Sequence, residues 1–542
     1  MYTIAEKLQD IFTKPWKDHT PAIPLVDSDG LPDDPPRPPN IRQVKKLLKE
    51  LNPRKATGAD NISAWTLKNF AEELAVVAHD ILCASISEGK YPTLYKHALV
   101  SPVPKVHPPD VETDFRQISV LPVFGTVLEK VQIMLNKDAF RVKGNQHAFS
   151  QGRSTVSALV NITQTWFNET DNRPEGKKAI HSLFIDFSKA FDLVDHSILL
   201  SKLKDRNINK SLWLWTKSFL QARTQQVKLP GVLSSTQICP AGVPQGSVIS
   251  PLWFSIFIDD FDDFIPVEME RVRMCKYADN CTVHESVPSG CSSNMQKVLD
   301  GLQTWATTNN MLLNPKKTKD MWISFRKHSI EPETLRINNA QVERVSQFKL
   351  LGVWQQNNLR WNYHVEQTIK KACKRLYHLR ECRKARLPTE VGITVYCTKI
   401  RPLLEYASQV WGGLPQYLAD DLQSIQNRCL DIIGISRTSL PTLEQRRMEA
   451  TKRELERTIE DINHPNQVFF SKSSTSYSYN LRFKSGPVVI PRSGTQRHAN
   501  SFKVRDARLL NCIIGISRTS LPTLEQRRME ATKRELERTI ED

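Results

Sequence analysis

HSLFIDFSKAFDLVDH, residues 181–196, runs from an apolar strand into the start of a helix. The strand-like part, Leu183-Phe184-Ile185, stops at Asp186. A carboxylate in that position is costly to bury without a cation or donors around it. Asp186 is therefore expected at a strand edge, where a metal can be held. Phe191 follows five residues on, at the start of a helix. Asp192 and Asp195 read equally as capping or surface acids.

Three other stretches bear on this one. MCKYADNCTVHES at 274–286 places Ala278-Asp279-Asn280 between apolar runs, and a D-N pair suits a two-residue hairpin turn. A hairpin presenting Asp279 beside the strand edge of Asp186 would set two carboxylates around Mg²⁺, which favours one or two carboxylates plus substrate phosphates. Taken alone, the segment is equally an ordinary turn. CPAGVPQGSVISPLWFSIFIDDF at 239–261 puts Gly242, Pro244 and Gly246 in a tight loop, with Ser247 or Ser250 able to cap the helix that follows. A plain turn into a buried helix fits as well. VSPVPKVHPPDVETDFRQIS at 100–119 reads as a β-hairpin ending in Lys105 and Arg116, two cations that can be aimed at one anion. A surface loop with two solvated cations is the alternative.

Composition narrows the class. The 542 residues carry 75 Lys+Arg against 58 Asp+Glu, a net charge of +17, which favours a polyanionic partner. The charge alone leaves open a basic protein without such a partner. None of the 10 cysteines forms a C-x-x-C pair, which excludes zinc-finger, zinc-knuckle and thioredoxin-type readings. The first twenty residues lack an apolar h-region, so no signal peptide is expected. No run approaches the roughly 18 apolar residues of a membrane span. An intracellular protein is expected, in the nucleus, the cytoplasm or both.

The order of elements is α+β. Strands are expected at 98–104, 181–187, 272–278 and 281–286, and helices at 154–170, 197–205, 211–221 and 293–310. Residues 1–40 read as a proline-rich linker, 41–180 as N-terminal helices and fingers-like elements, and 181–355 as the region holding both acids. A basic helical segment spans 356–435. A partly disordered tail fills 436–542, where the thirty residues 432–461 recur letter for letter at 513–542. A single verbatim copy points to recent duplication or a gene-model error, and the second copy is assigned no function.

Together, in this order, the blocks resemble the reverse transcriptase domain of non-LTR (LINE-like) retrotransposons. FIDFSKAFDLVDH is similar to that family's F-x-D-x-S-K-A-F-D-x-V-D-H block, and GVPQGSVISPL to its G-V-P-Q-G-S-x-x-S-P-L block. QHAFSQGRSTVSAL at 146–159, LLNPKKTKDMWISF at 312–325 and FKLLGV at 348–353 resemble further blocks, over about 41–433 in all. The resemblance implies a right-hand polymerase of fingers, palm with antiparallel sheet and helical thumb. It implies RNA-directed DNA synthesis by two-metal phosphoryl transfer, with two Mg²⁺ ions per site or Mn²⁺ instead. The implied partners are an RNA template, a DNA primer and deoxynucleoside triphosphates.

Residue by residue, the resemblance makes Asp186 and Asp279 metal ligands, joined by the Phe187 carbonyl, with Asn280 beside them. Phe191 falls at the sugar-gate position, and Gln245 and Gly246 belong to the loop touching nucleotide and template. Lys105 and Arg116 grip the triphosphate. Lys317 is the proton donor to pyrophosphate, with Lys316 and Lys319 as competitors. Lys370, Lys371, Lys374, Arg375 and Arg383 would track the duplex, unless they are simply a solvated helix face. The pairs Asp33-Asp34, Asp259-Asp260, Asp262-Asp263 and Asp420-Asp421 read as solvated or capping acids.

Three departures stand out. Asn280 replaces the second acid of the family's Y/F-A-D-D turn, which removes one negative charge beside the metals. Gln117 stands where proline commonly follows the arginine, a change expected to loosen the hairpin. Nothing resembles an endonuclease, a Cys–His knuckle or an RNase H acid set. A polymerase weakened by Asn280 is expected, and a non-catalytic nucleic-acid-binding relic is the alternative.

Overall fold

The computed structural model describes residues 1–16, 27–33, 37–106, 108–110, 114–171, 177–461, 464–470 and 493–505. In chain order its main strands are β1 (His97–Pro104), β2 (Phe115–Val120), β3 (Ala179–Ile185), β4 (Thr224–Leu229), β5 (Val272–Tyr277), β6 (Asn280–Val287) and β7 (Lys319–Ile323). Its main helices are α1 (Tyr2–Thr13), α2 (Val123–Leu135), α3 (Thr155–Thr170), α4 (Ser250–Phe257), α5 (Asn362–Lys384), α6 (Gln416–Ile433) and α7 (Leu443–Glu460). The content is mixed helix and sheet, as the sequence leads one to expect. No helix among the described residues is long and apolar enough to cross a membrane.

The chain forms two compact units interleaved along the sequence. The first comprises 1–149, 186–266 and 298–314. In it β1 pairs antiparallel with β2, from Leu99 opposite Val120 to Pro104 opposite Phe115, and parallel with β4. The expected linker over 1–40 is corrected at its start, because Ala5, Leu8 and Phe12 recur at helical spacing and form an apolar stripe. That stripe makes α1 a helix and buries it against Val100 and Val227 of the sheet. Glu6 fixes it further by accepting from the Ser235 amide (2.6 Å) and hydroxyl (2.8 Å).

The second unit comprises 150–185, 267–297 and 315–542. Its sheet runs in the order Glu343–Arg344, β7, β3, β6, β5, with β3 antiparallel to both neighbours. Every residue of β3 is buried, as its unbroken apolar character requires. Helix α3 starts at a capping box on Ser154 and packs Ala158, Ile162 and Trp166 into the core with Ile180, Phe184 and Met321. Across the sheet His181 lies 2.7 Å from Asp320 and 2.6 Å from Ser293, and the Arg344 guanidinium donates to Asp320 (2.8 Å).

Part of the expected tail is also corrected. Residues 443–460 form α7, capped by Thr442 and Gln445, with Leu443 and Leu455 in the same core as α3. The first copy of the repeat is therefore folded structure. The second copy, 513–542, lies outside the described residues.

Candidate active site

Strand β3 ends at Ile185, opposite Cys281 of β6. Asp186 is the next residue in the chain, half-buried, and its carbonyl accepts from the Asn314 amide (2.9 Å). Phe187 is buried in a bridge with Leu313 and rests on Phe261. The acid therefore sits at the strand end that the apolar run predicts.

The turn between β5 and β6 differs by one residue from expectation. Tyr277 pairs with Asn280, so the two central residues are Ala278 and Asp279, and Asn280 opens β6. Ala278 takes φ +54°, a region costing an L-residue about 1–2 kcal/mol. Asn280 is exposed, and its side-chain amide donates to the Asp279 carboxylate (3.3 Å). A second carboxylate there would repel Asp279 instead.

The glycine loop belongs to the first unit, where it is clamped from three sides. The Gln245 carbonyl accepts from the Ser119 amide (2.8 Å), and its side-chain amide donates to Asp192 (2.8 Å). Gly246 has φ +152°, and a Cβ there would stand 2.2 Å from the Ser119 carbonyl oxygen. Gly242 likewise leaves no room, with the Asp192 carbonyl oxygen 2.6 Å from where a Cβ would be. Glu129 of α2, which sequence reasoning missed, is fully buried beneath the loop. Its carboxylate accepts from the Ser247 hydroxyl (2.7 Å) and the Val248 (2.5 Å) and Ile249 (3.2 Å) amides. Burial pushes its pKa up while those donors pull it back. The N-cap position of α4 is Ile249, which has no side-chain cap; neither serine occupies it, though the Ser247 hydroxyl accepts from the Ser250 amide at 3.1 Å.

Phe191 lies in a one-turn helix, half-buried, with its ring stacked on Phe254 at 4.5 Å and 18°. Asp195 caps the following helix through the Ser197 (2.9 Å) and Ile198 (3.0 Å) amides. Asp192 is neither cap nor surface acid. It is 8% exposed, hydrogen-bonded by Gln245 and Gln117, and raised in pKa by burial. Gln117, expected to loosen the hairpin, is buried and ties it down. Lys105 and Arg116 are both exposed. The Lys105 amide donates to the Asp114 carbonyl (2.7 Å), which extends the ladder, and Arg116 pairs with Val103. The pleat then puts both cations on one face of the hairpin.

Lys316 and Lys317 are exposed, while Lys319 is engaged by Glu343 (2.7 Å) and the Lys316 carbonyl (2.6 Å), so it does not compete with Lys317. On α5 the buried face is Val365, Ala372, Leu376 and Leu379, and the basic residues lie on the exposed face. Lys370 is paired with Glu366, and Arg375 donates to the Lys399 carbonyl (2.6 Å). Lys374 and Arg383 have no ion pair among the described residues. Lys371 is lowered in pKa by burial and by Lys349 beside it.

The acidic pairs near α4 are corrected. Asp259 is buried against the Arg206 guanidinium, and Asp260 accepts from Lys202 (2.7 Å) and the Trp305 indole (2.9 Å). Asp262 and Asp263 meet Lys143. Cations that only the fold brings near engage these acids, while Asp263 stays exposed, as expected of a solvated acid.

The sequence profile of the family described as "Reverse transcriptase (RNA-dependent DNA polymerase)" matches residues 103–355, which take in both acids, the glycine loop, both hairpin cations and Lys317 but not the basic residues of α5. That stretch is similar to a reverse transcriptase domain. It is 28% identical over 404 residues to the RNA-directed DNA polymerase from mobile element jockey of Drosophila melanogaster, covering 72% of this chain and 43% of that protein. The probable RNA-directed DNA polymerases from transposon BS and transposon X-element of the same species are 25% and 24% identical over 413 and 401 residues. Those matches cover 74% and 72% of this chain, and 45% and 43% of the two proteins. The chain thus spans less than half the length of these retrotransposon relatives.

Reverse transcriptases use divalent metals. The donors in this chain are of the required class, since Asp186 and Asp279 offer the hard carboxylate oxygens that Mg²⁺ prefers. Asn280 adds only a neutral carbonyl. Among the described residues no group of three His, Cys, Asp or Glu side chains is arranged to hold a metal.

Proposed function

We propose that this chain is an RNA-directed DNA polymerase of a non-LTR retrotransposon, extending a DNA primer on an RNA template and impaired by Asn280. The register of β3 on β6 carries this reading. Ile185 is opposite Cys281, Asp186 is bonded to the first, and Asp279 lies two residues before the second. The fingers, palm and thumb of a right hand would correspond to 41–180, 181–355 and 356–435.

Two Mg²⁺ ions, or Mn²⁺, supply charge neutralisation and Lewis acidity for phosphoryl transfer when bound. Asp186, Asp279 and the Phe187 carbonyl would hold them. Lys105 and Arg116 meet the triphosphate, the Phe191 ring excludes a ribose 2′-hydroxyl, and the Gln245-Gly246 loop backs the nucleotide. Lys317 delivers a proton to the leaving pyrophosphate. Lys371, Lys374 and Arg383 follow the duplex backbone, joined by Lys370 and Arg375 where their present partners release them.

One observation favours the second reading, a non-catalytic nucleic-acid-binding relic: the Asn280 amide turns a donor toward the Asp279 carboxylate. Primer extension on an RNA template with Mg²⁺ and then Mn²⁺ decides between them. Extension that is lost in Asp186→Ala establishes the polymerase. Tight binding of primer–template without extension in either metal establishes the relic.

A further inference from the structure

Asp192 is the residue after the proposed sugar gate, and neither composition nor motif assigns it a task. The structure surrounds it. The Gln245 side-chain amide donates to its carboxylate at 2.8 Å, and the Gln117 side chain hydrogen-bonds it from β2. Its backbone carbonyl accepts from the Trp16 indole at 2.8 Å, and Gly242 packs against the same carbonyl too closely for any side chain. The neighbouring Phe191 carbonyl accepts from the Val243 amide (2.9 Å). Lys189 and Lys105 are the cations that face the carboxylate. Lys189 itself donates to the Ile11 carbonyl at the end of α1 (3.1 Å).

Behind this node lies a cavity of about 30 Å³, lined among others by Trp16, Gln117, Asp192, Arg223, Gln225 and Gln245. Three buried polar atoms of its lining have no hydrogen-bond partner among the described residues: Gln117 Oε1, Gln225 Nε2 and Arg223 Nη2. A cavity of this size has room for a water, which those three atoms could bond. Gln117 thus keeps its donor on Asp192 while its acceptor faces the cavity.

We propose that Asp192 is a positioning residue for sugar selection, holding the Phe191 ring and the Gln245 amide in one fixed relation, with Gln117 and Trp16 as its supports. The inference rests on the polymerase reading and deepens it. An aromatic ring rejects a single hydroxyl only if it is held within about 0.5 Å of its place. Here the ring is braced by Phe254 on one face, and its backbone is pinned through residue 192. Releasing residue 192 lets the ring tilt, so a ribonucleotide is accepted more readily while a deoxynucleotide is little affected.

The test uses the full chain on an RNA template with a chain-terminated DNA primer and Ca²⁺, so that no chemistry is needed. The reading is the dGTP and GTP concentration that stabilises the complex opposite a template cytosine. In Asp192→Ala the preference for dGTP should fall about tenfold or more, the scale of losing a hydrogen bond to a charged group. Asp192→Asn should keep the preference within about threefold, because it still accepts from Gln245 and its own amide can meet the Gln117 carbonyl. Trp16→Phe, which removes one N–H and keeps the ring, should lower the preference by about threefold, and it serves if Asp192→Ala fails to fold. Equal losses for both nucleotides, or an unchanged ratio in folded variants, overturn the inference and leave the polymerase reading standing. No stabilisation by dGTP in the unaltered protein overturns both.

Discussion

The 242–249 loop and the 277–280 turn carry two halves of one proposed chemistry, and they are held in opposite ways. The loop is tied to β2 through Ser119, to the 190–192 turn through Asp192 and to α2 through Glu129, and it has no room for a Cβ at Gly242 or Gly246. The turn is the two-residue end of the β5–β6 ladder, and Asn280 is exposed and bonded to its neighbour. A change in the loop disturbs several elements together, whereas a change at 280 disturbs almost none. Loss of the second acid is therefore the kind of damage this fold absorbs without unfolding, and catalysis would be lost before structure.

Asn280→Asp is the sharpest way to exploit that contrast. Primer extension should rise on the order of 10²–10³-fold, with the melting temperature hardly moved. A gain of less than tenfold would mean that the turn is not what limits activity.

The ladder behind the turn has a weak point that pH should find. His284 of β6 is buried opposite Ser182, without a hydrogen-bond partner among the described residues, and burial lowers its pKa to about 4 from the ordinary 6.5. The unfolded chain therefore binds a proton that the fold refuses. Stability from this group is complete above about pH 6.5 and falls as the pH drops toward 4, by about 3 kcal/mol at most. Denaturant midpoints at pH 7 and pH 4.5 should show it, and His284→Phe should reduce the difference. His364, likewise lowered to about 4 by burial, keeps a share of it.

For the loop the expected result is the reverse of that at 280. Gly246→Ala should cost about 2 kcal/mol or more in stability, the scale of forcing a methyl into a packed site, and weaken nucleotide binding with it. A variant as stable as the parent would show that the loop is less tightly held than the Ser119 contact indicates. The smallest effect is expected on α5, where replacing Lys371, Lys374 and Arg383 with Gln should lower the slope of log affinity against log salt by up to about 3. An unchanged slope would take this face out of the nucleic-acid path.

Local patterns made the elements legible. The strands expected at 181–187, 272–278 and 281–286 fall at Ala179–Ile185, Val272–Tyr277 and Asn280–Val287, and the helix expected at 154–170 falls at Thr155–Thr170. Helix α1 was legible too, in the spacing of Ala5, Leu8 and Phe12, but the prolines downstream dominate a reading of that end. What no local pattern could show is pairing at a distance. Glu129 meets residues 118 to 120 positions away, and Gln245 meets Asp192 across 53. In sequence Glu129 is one more polar residue on an amphipathic helix, and Gln117 only a missing proline.

Glu129 also disarms α4 as an anion site. A helix start ordinarily offers bare amides and partial positive charge to a phosphate. Here an internal carboxylate already occupies the Val248 and Ile249 amides, at 2.5 and 3.2 Å. A polyphosphate arriving at this loop would meet a helix whose attraction has been quenched from within. Its charge would have to be answered by long, mobile cationic side chains and dissolved ions, which makes nucleotide capture responsive to ionic conditions in a way that a backbone cradle would not be.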